Sequence, residues 1–119
     1  MKLRVLLSAA AAVSVAASAA TWAVPASADE TGVAVIHTWV KVGKKTCMLD
    51  HYHYGSGTGA TKKVAQAAAI KDWEGFTAFE YGTSWGNFRI ANKKSEKCTG
   101  TDKAKDWKCD VEALACRPF

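Results

Sequence analysis

The sequence predicts an α+β fold: one long helix packed on an antiparallel β-sheet and held by two disulfides. Three observations carry that reading. Apolar residues alternate through 33–42, the two-residue period of a strand, and 46–54 is rich in tyrosine with β-branched or apolar residues at its start. From Lys62 the period lengthens to that of a helix and holds to about Tyr81. Four cysteines, Cys47, Cys98, Cys109 and Cys116, follow an apolar leader, as in small chains stapled in an oxidising compartment.

The leader has three parts. Lys2 and Arg4 make a positive start, an alanine-rich run follows from Val5 to about Ala20, and Pro25 precedes the small triplet Ala26-Ser27-Ala28. This is the pattern of a secretory signal peptide over residues 1–28, with a single secreted α+β domain over 29–119. No cysteine closely follows the leader, so a lipoprotein anchor is not expected, and no twin arginine occurs in it. No other long apolar run exists, so no membrane span is expected after cleavage. The expected location is the periplasm or the cell exterior.

Residues 29–119 number 91, enough for one domain with a modest core that disulfides commonly supplement. Three cysteine pairings are possible. Cys98–Cys109 and Cys47–Cys116 are preferred, because the first closes a short loop within one hairpin and the second ties the carboxyl end to the amino-terminal half. A cysteine zinc site is discounted for want of a C-x-x-C pair.

The elements follow in order. In 33–42, Ala34, Ile36, Val40 and Val42 share one strand face, and Val35, His37 and Trp39 the other. Gly43, Lys44 and Lys45 form a turn into a second strand, 46–54. Gly55 to Gly59, with alternate glycines, reads as a flexible loop. Thr61 is the N-cap and Gly82 the stop of a helix about 30 Å long, with Val64, Ala69, Ile70, Trp73 and Phe76 on its apolar face. Phe88 and Ile90 alternate, and Gly86 and Asn87 suit helices poorly, so Trp85 to Ala91 reads as an irregular strand. Ser95–Thr99 and Trp107–Cys116 form a hairpin around a charged loop. Trp107, Cys109, Val111, Ala113 and Ala115 line one face of its last strand. Most of the aromatic side chains are expected in the core.

The formal charge of the whole chain is +5, and loss of Lys2 and Arg4 leaves +3. That permits anionic partners without demanding them. The leading candidate site is the helix start, Gly57 and Gly59 with Lys62 and Lys63. Glycines let an anion approach the backbone, and a helix N-terminus offers free N–H groups and partial positive charge. Lysines stand there and Glu80 stands at the other end, against the helix dipole at both, and a bound anion would offset the first.

The second candidate is a metal site at His37, His51 and His53. On a strand His51 and His53 point to one side, and His37 comes near if the hairpin forms; His37 or Asp50 would complete a site for Zn²⁺, Cu²⁺ or Ni²⁺. A third reading pairs His51 or His53 with Asp50 or Glu80 as acid and base of a small secreted hydrolase or nuclease. No G-x-S-x-G, H-E-x-x-H or P-loop is present and every cysteine is expected in a disulfide, so no catalytic residue is assigned.

The stretch Gly57-Thr-Gly59-Ala-Thr61-Lys-Lys63-Val-Ala65, preceded by Val40-Lys-Val42-Gly43, resembles the carboxyl-terminal core of double-stranded RNA-binding domains. The resemblance implies lysines that grip phosphates across a groove. It covers about thirty residues, lacks that family's first helix and is followed by further strands and disulfides, so nucleic acid is not the expected partner. The later pattern, from Trp73-x-x-Phe76 through Tyr81-Gly and Trp85-x-x-Phe88 to Trp107-x-Cys109 and Cys116-Arg117, resembles small exported proteins of Gram-negative bacteria that have no assigned activity. It implies no site.

The expectation is thus a secreted, disulfide-stabilised, non-enzymatic binding protein. Its partner would be an anionic ligand or protein and its cofactor none, with metal binding through the histidines as the alternative.

Overall fold

A computed structural model of the chain describes residues 32–119. The signal peptide expected over 1–28 lies outside the described residues. The elements run α1 (Gly32–Val35), β1 (Trp39–Val42), β2 (Lys45–Gly59), α2 (Lys62–Tyr81), two 3₁₀ turns (Thr83–Trp85 and Phe88–Ile90), β3 (Asn92–Thr99) and β4 (Trp107–Pro118). The four strands form one antiparallel sheet in the order β1-β2-β4-β3. The fold is α+β with one long helix, four antiparallel strands and two disulfides, Cys47–Cys116 and Cys98–Cys109, the pairing expected from the sequence.

Both bridges join residues that face each other across paired strands. Cys47 is the register partner of Cys116, and Cys98 of Cys109. Their Cα atoms are 4.0 Å and 4.1 Å apart.

Four expectations change. The first strand is shorter, because Gly32–Val35 is a helical turn. Ala34 is buried there and its carbonyl accepts the indole N–H of Trp39 at 2.9 Å, while His37 Nδ1 lies 2.8 Å from the Val33 carbonyl. Side chains thus satisfy carbonyls that a sheet partner would otherwise have taken. β1 pairs with β2 only from Trp39 opposite Met48 to Val42 opposite Lys45, and Gly43 turns the chain at φ 61°.

The second change concerns Gly55 to Gly59. The segment is no flexible loop: β2 continues through it to Gly59, paired with β4. A β-carbon on Gly55 would sit 2.3 Å from the Ala69 carbonyl oxygen, and one on Gly57 2.3 Å from the Ala69 nitrogen. On Gly59 it would meet the Val64 side chain at 2.6 Å. The glycines are spaced by two because one strand face must be bare where the helix lies against it.

The third change follows from the second. The buried stripe of α2 is Ala65, Ala69, Trp73, Thr77 and Tyr81, one residue every four. Val64 and Phe76, expected inward, are 54% and 46% exposed. The close approach over the glycine track leaves room for a single row of side chains. The helix ends are as expected: the Thr61 hydroxyl accepts from the Val64 N–H at 3.2 Å, and Gly82 stops the helix at φ 108°.

Fourth, Trp85 to Ala91 is not a strand. Asn87 caps the second 3₁₀ turn by accepting from the Arg89 N–H, and the Glu74 carboxylate accepts from the Phe88 N–H at 3.0 Å. Side-chain acceptors replace a sheet ladder, and the segment keeps one bridge, Gly86 to Cys116.

Candidate metal centre

The site begins with an irregularity in β2. Its pairing with β4 shifts register between Cys47 and Tyr52, so His51 lies within the irregular stretch. Beyond the bulge His53 pairs with Ala113. His53 is 1% exposed, while His51 is exposed. The Trp73 indole N–H donates to the His53 carbonyl at 3.0 Å, fixing the strand against α2.

α2 brings Thr77, Glu80 and Tyr81 to the same place. These positions, i, i+3 and i+4, lie on one side of a helix. His53 Nδ1 is 2.9 Å from Thr77 Oγ1, and its Nε2 is 2.7 Å from Glu80 Oε2. A carboxylate accepts only, so Nε2 carries the proton and Nδ1 accepts from the Thr77 hydroxyl. The Tyr81 ring stacks on the imidazole, with centroids 4.5 Å apart and planes inclined by 20°.

His37 and His51 close the outer side. Their ring centroids are 4.6 Å apart, and His51 to His53 is 5.3 Å. The fold therefore brings together all three histidines named from the sequence. A ligand atom from each of His51, His53 and Glu80 lies within 4.8 Å of the others. His37 stands beside this set, its Nδ1 committed to the Val33 carbonyl, which leaves Nε2 with the lone pair. Asp50, the other acid considered, is exposed on β2 and is not among the converging donors.

Burial lowers the His53 pKa below its ordinary 6.5. The Glu80 carboxylate opposes this, and His51 and His37 add to the lowering. The neutral imidazole is the form that binds a metal. Tyr81 is pushed above the usual phenol range, first by burial and then by Glu80, so it stays protonated.

A divalent ion about 2.1 Å from each donor holds tetrahedral neighbours about 3.4 Å apart. The His53–Glu80 separation of 2.7 Å is shorter than that, and His51 stands on the exposed side. A metal held at Nε2 would require the imidazole proton on Nδ1, where Thr77 Oγ1 would accept it, the kind of support that orients metal-bound imidazoles. The donors are nitrogen and oxygen without thiolate, since all four cysteines are in disulfides. Such a set suits zinc, copper or nickel.

The other candidate site is arranged differently. Lys62 and Lys63 are exposed on the first turn of α2. Gly57 and Gly59 belong to the sheet and turn their bare faces to α2, so they form no cradle for an anion. As for acid–base chemistry, both nitrogens of His53 are engaged and its ring is buried. Sequence reasoning had Glu80 only as an ill-placed helix charge and an acid–base partner, and it missed Thr77. The spacing Thr77-x-x-Glu80-Tyr81 was the available signal. No family model matches this chain, and no curated protein or solved structure matches it either.

Proposed function

We propose that this chain is a small exported protein that binds one divalent transition metal, zinc or copper, through His51, His53 and Glu80, with His37 as the fourth ligand. One observation carries the reading: two residues of a bulged strand and one of the long helix converge donor atoms within 4.8 Å, around a buried imidazole already oriented by a hydroxyl. Loops and chance surface clusters lack such support. The metal would join the α1–β1 segment, β2 and α2, so part of its binding energy would become stability of the fold. The leader over residues 1–28 and two disulfides support export to an oxidising compartment.

The test is elemental analysis of the protein purified without chelator, followed by thermal unfolding with and without added zinc. A stoichiometric metal, or a melting temperature that climbs with zinc, is expected. Metal-free protein whose melting ignores both zinc and copper would refute the reading.

A further inference from the structure

The charged side chains are unevenly divided over the fold. Residues 32–49, 81–95 and 113–119 hold seven lysines and arginines and no acid. Residues 50–80 and 96–112 hold seven against nine acids. Strand pairing gathers the three acid-free segments at one end of the sheet. β1 pairs with the start of β2, Lys45 and Thr46 of β2 stand opposite Pro118 and Arg117, and Gly86 bridges to Cys116. One end of the fold thus carries a formal +7 and the remainder −2. Asp50 borders the basic end. Glu74 and Glu80 reach it from α2 and are engaged, by the Phe88 N–H and by His53.

Within this end the cations crowd. Lys45 Nζ donates to the Ile90 carbonyl at 2.7 Å and Lys94 Nζ to the Arg89 carbonyl at 3.0 Å. Two ammonium groups therefore sit on consecutive carbonyls, and Arg89 beside them is exposed. Among the described residues no carboxylate pairs with Lys41, Lys44, Lys45, Arg89, Lys93 or Lys94. Like charges gathered without a counter-charge repel, and an external anion offsets that. The same segments expose apolar side chains. Ile36 is 79% exposed, Phe119 64%, Leu49 47% and Val40 39%, and Lys41 Nζ stands over the Phe119 ring at 5.0 Å.

We infer that this end of the fold docks on an anionic lipid surface. Two features select lipid among anionic partners. The cations span β1, β2, β4 and the 86–90 segment, a width of about 14 Å, and so suit a charged plane better than a single phosphate. The exposed residues among them are chiefly aliphatic. Such side chains enter a headgroup layer, and they offer no flat ring on which a nucleic-acid base would stack. No helix among the described residues is long and apolar enough to cross a bilayer, and the contact proposed is peripheral.

The experiment is co-sedimentation of the disulfide-bonded protein with phosphatidylcholine vesicles, with and without phosphatidylglycerol, at low and high salt. Binding is expected only with phosphatidylglycerol and should weaken as salt rises. Each cation near such a surface is worth about fivefold, so Lys44→Glu with Arg89→Glu should weaken binding at least about tenfold. Lys62→Glu with Lys63→Glu makes the same change of charge at the far end of α2 and should weaken it less than about threefold. All four positions are exposed, and urea unfolding of both double variants separates lost docking from lost structure. Lys44→Gln with Arg89→Gln, a milder change at the same positions, should give an intermediate loss. Absence of binding to the phosphatidylglycerol vesicles overturns the inference. Equal losses in the two charge-reversed variants overturn it as well, by reducing the effect to net charge. Inorganic polyphosphate that binds more tightly than the vesicles at equal phosphate also overturns it, by making a soluble polyanion the occupant. None of these results bears on metal binding, which is read separately.

Discussion

His53 and Glu80 join strand to helix by a single 2.7 Å contact, Nε2 to Oε2, with the imidazole buried and the carboxylate 29% exposed. Both atoms of the contact are buried, so the exposed part of the Glu80 side chain lies away from Oε2. Thr77 holds the imidazole from the other side, at Nδ1.

The support from Thr77 can be tested by itself. Thr77→Val keeps the shape and removes the hydroxyl. Loss of such an orienting partner typically costs about 10–100-fold in metal affinity. Zinc affinity of the variant should fall at least tenfold, and Thr77→Ser should restore most of it. Equal affinity in the valine and serine variants would show that the hydroxyl orients nothing.

The glycine track makes a stability prediction. Gly57→Ala forces a methyl group to within 2.3 Å of the Ala69 nitrogen, so the helix must move off the sheet. Overpacking of this kind costs about 1–3 kcal/mol, and backbone on both sides puts this case at or above the top of that range. Gly75→Ala, with open space, should instead gain up to about 1 kcal/mol in helix propensity. Urea unfolding of the two variants should give opposite signs.

The disulfides should differ in worth. Cys47–Cys116 spans 69 residues and Cys98–Cys109 spans 11. Loop entropy gives about 4 kcal/mol for the longer and about 3 kcal/mol for the shorter. Paired Cys→Ala variants, unfolded in urea, should rank in that order.

The metal-free protein should lose stability in mild acid. Burial holds His53 below 6.5 in the fold, and unfolding returns it to that value. Below about pH 6.5 the unfolded chain therefore binds the proton first, and stability falls as the pH drops toward the lower folded value. Above about pH 6.5 the contribution is fully present. Glu80, His51, His37 and Tyr81 all face this ring and stay in place in the comparison. Melting temperatures between about pH 7.5 and pH 5 should fall in the native protein and fall less in His53→Gln. Parallel profiles would remove His53 as the cause.

Much of the fold was legible in the sequence because its signals are local. Thr61 and Gly82 bound the helix by capping chemistry that acts within one turn. Cys98–Cys109 was legible because one hairpin brings the two together, and Cys47–Cys116 was then the pair that ties the carboxyl end to the amino-terminal half. Gly55, Gly57 and Gly59 were misread because glycine spaced by two means flexibility in a loop and bareness in a strand. Only the helix lying across them decides which. The same non-local fact explains why Val64 and Phe76 turned out exposed. For the site, His51 and His53 were legible from strand alternation and His37 from the hairpin. Glu80 as a candidate ligand and Thr77 as the hydrogen-bond partner of His53 were not, because only the packing of α2 against β2 sets them beside His53.

The central claim is most directly tested by calorimetric titration of the metal-free protein with zinc alone, repeated on His51→Ala and Glu80→Gln. Both positions have some solvent exposure, so both variants should fold. The account predicts one zinc per chain in the native protein and at least a tenfold loss of affinity in each variant. No heat of binding in the native protein, or unchanged affinity in both variants, would contradict it.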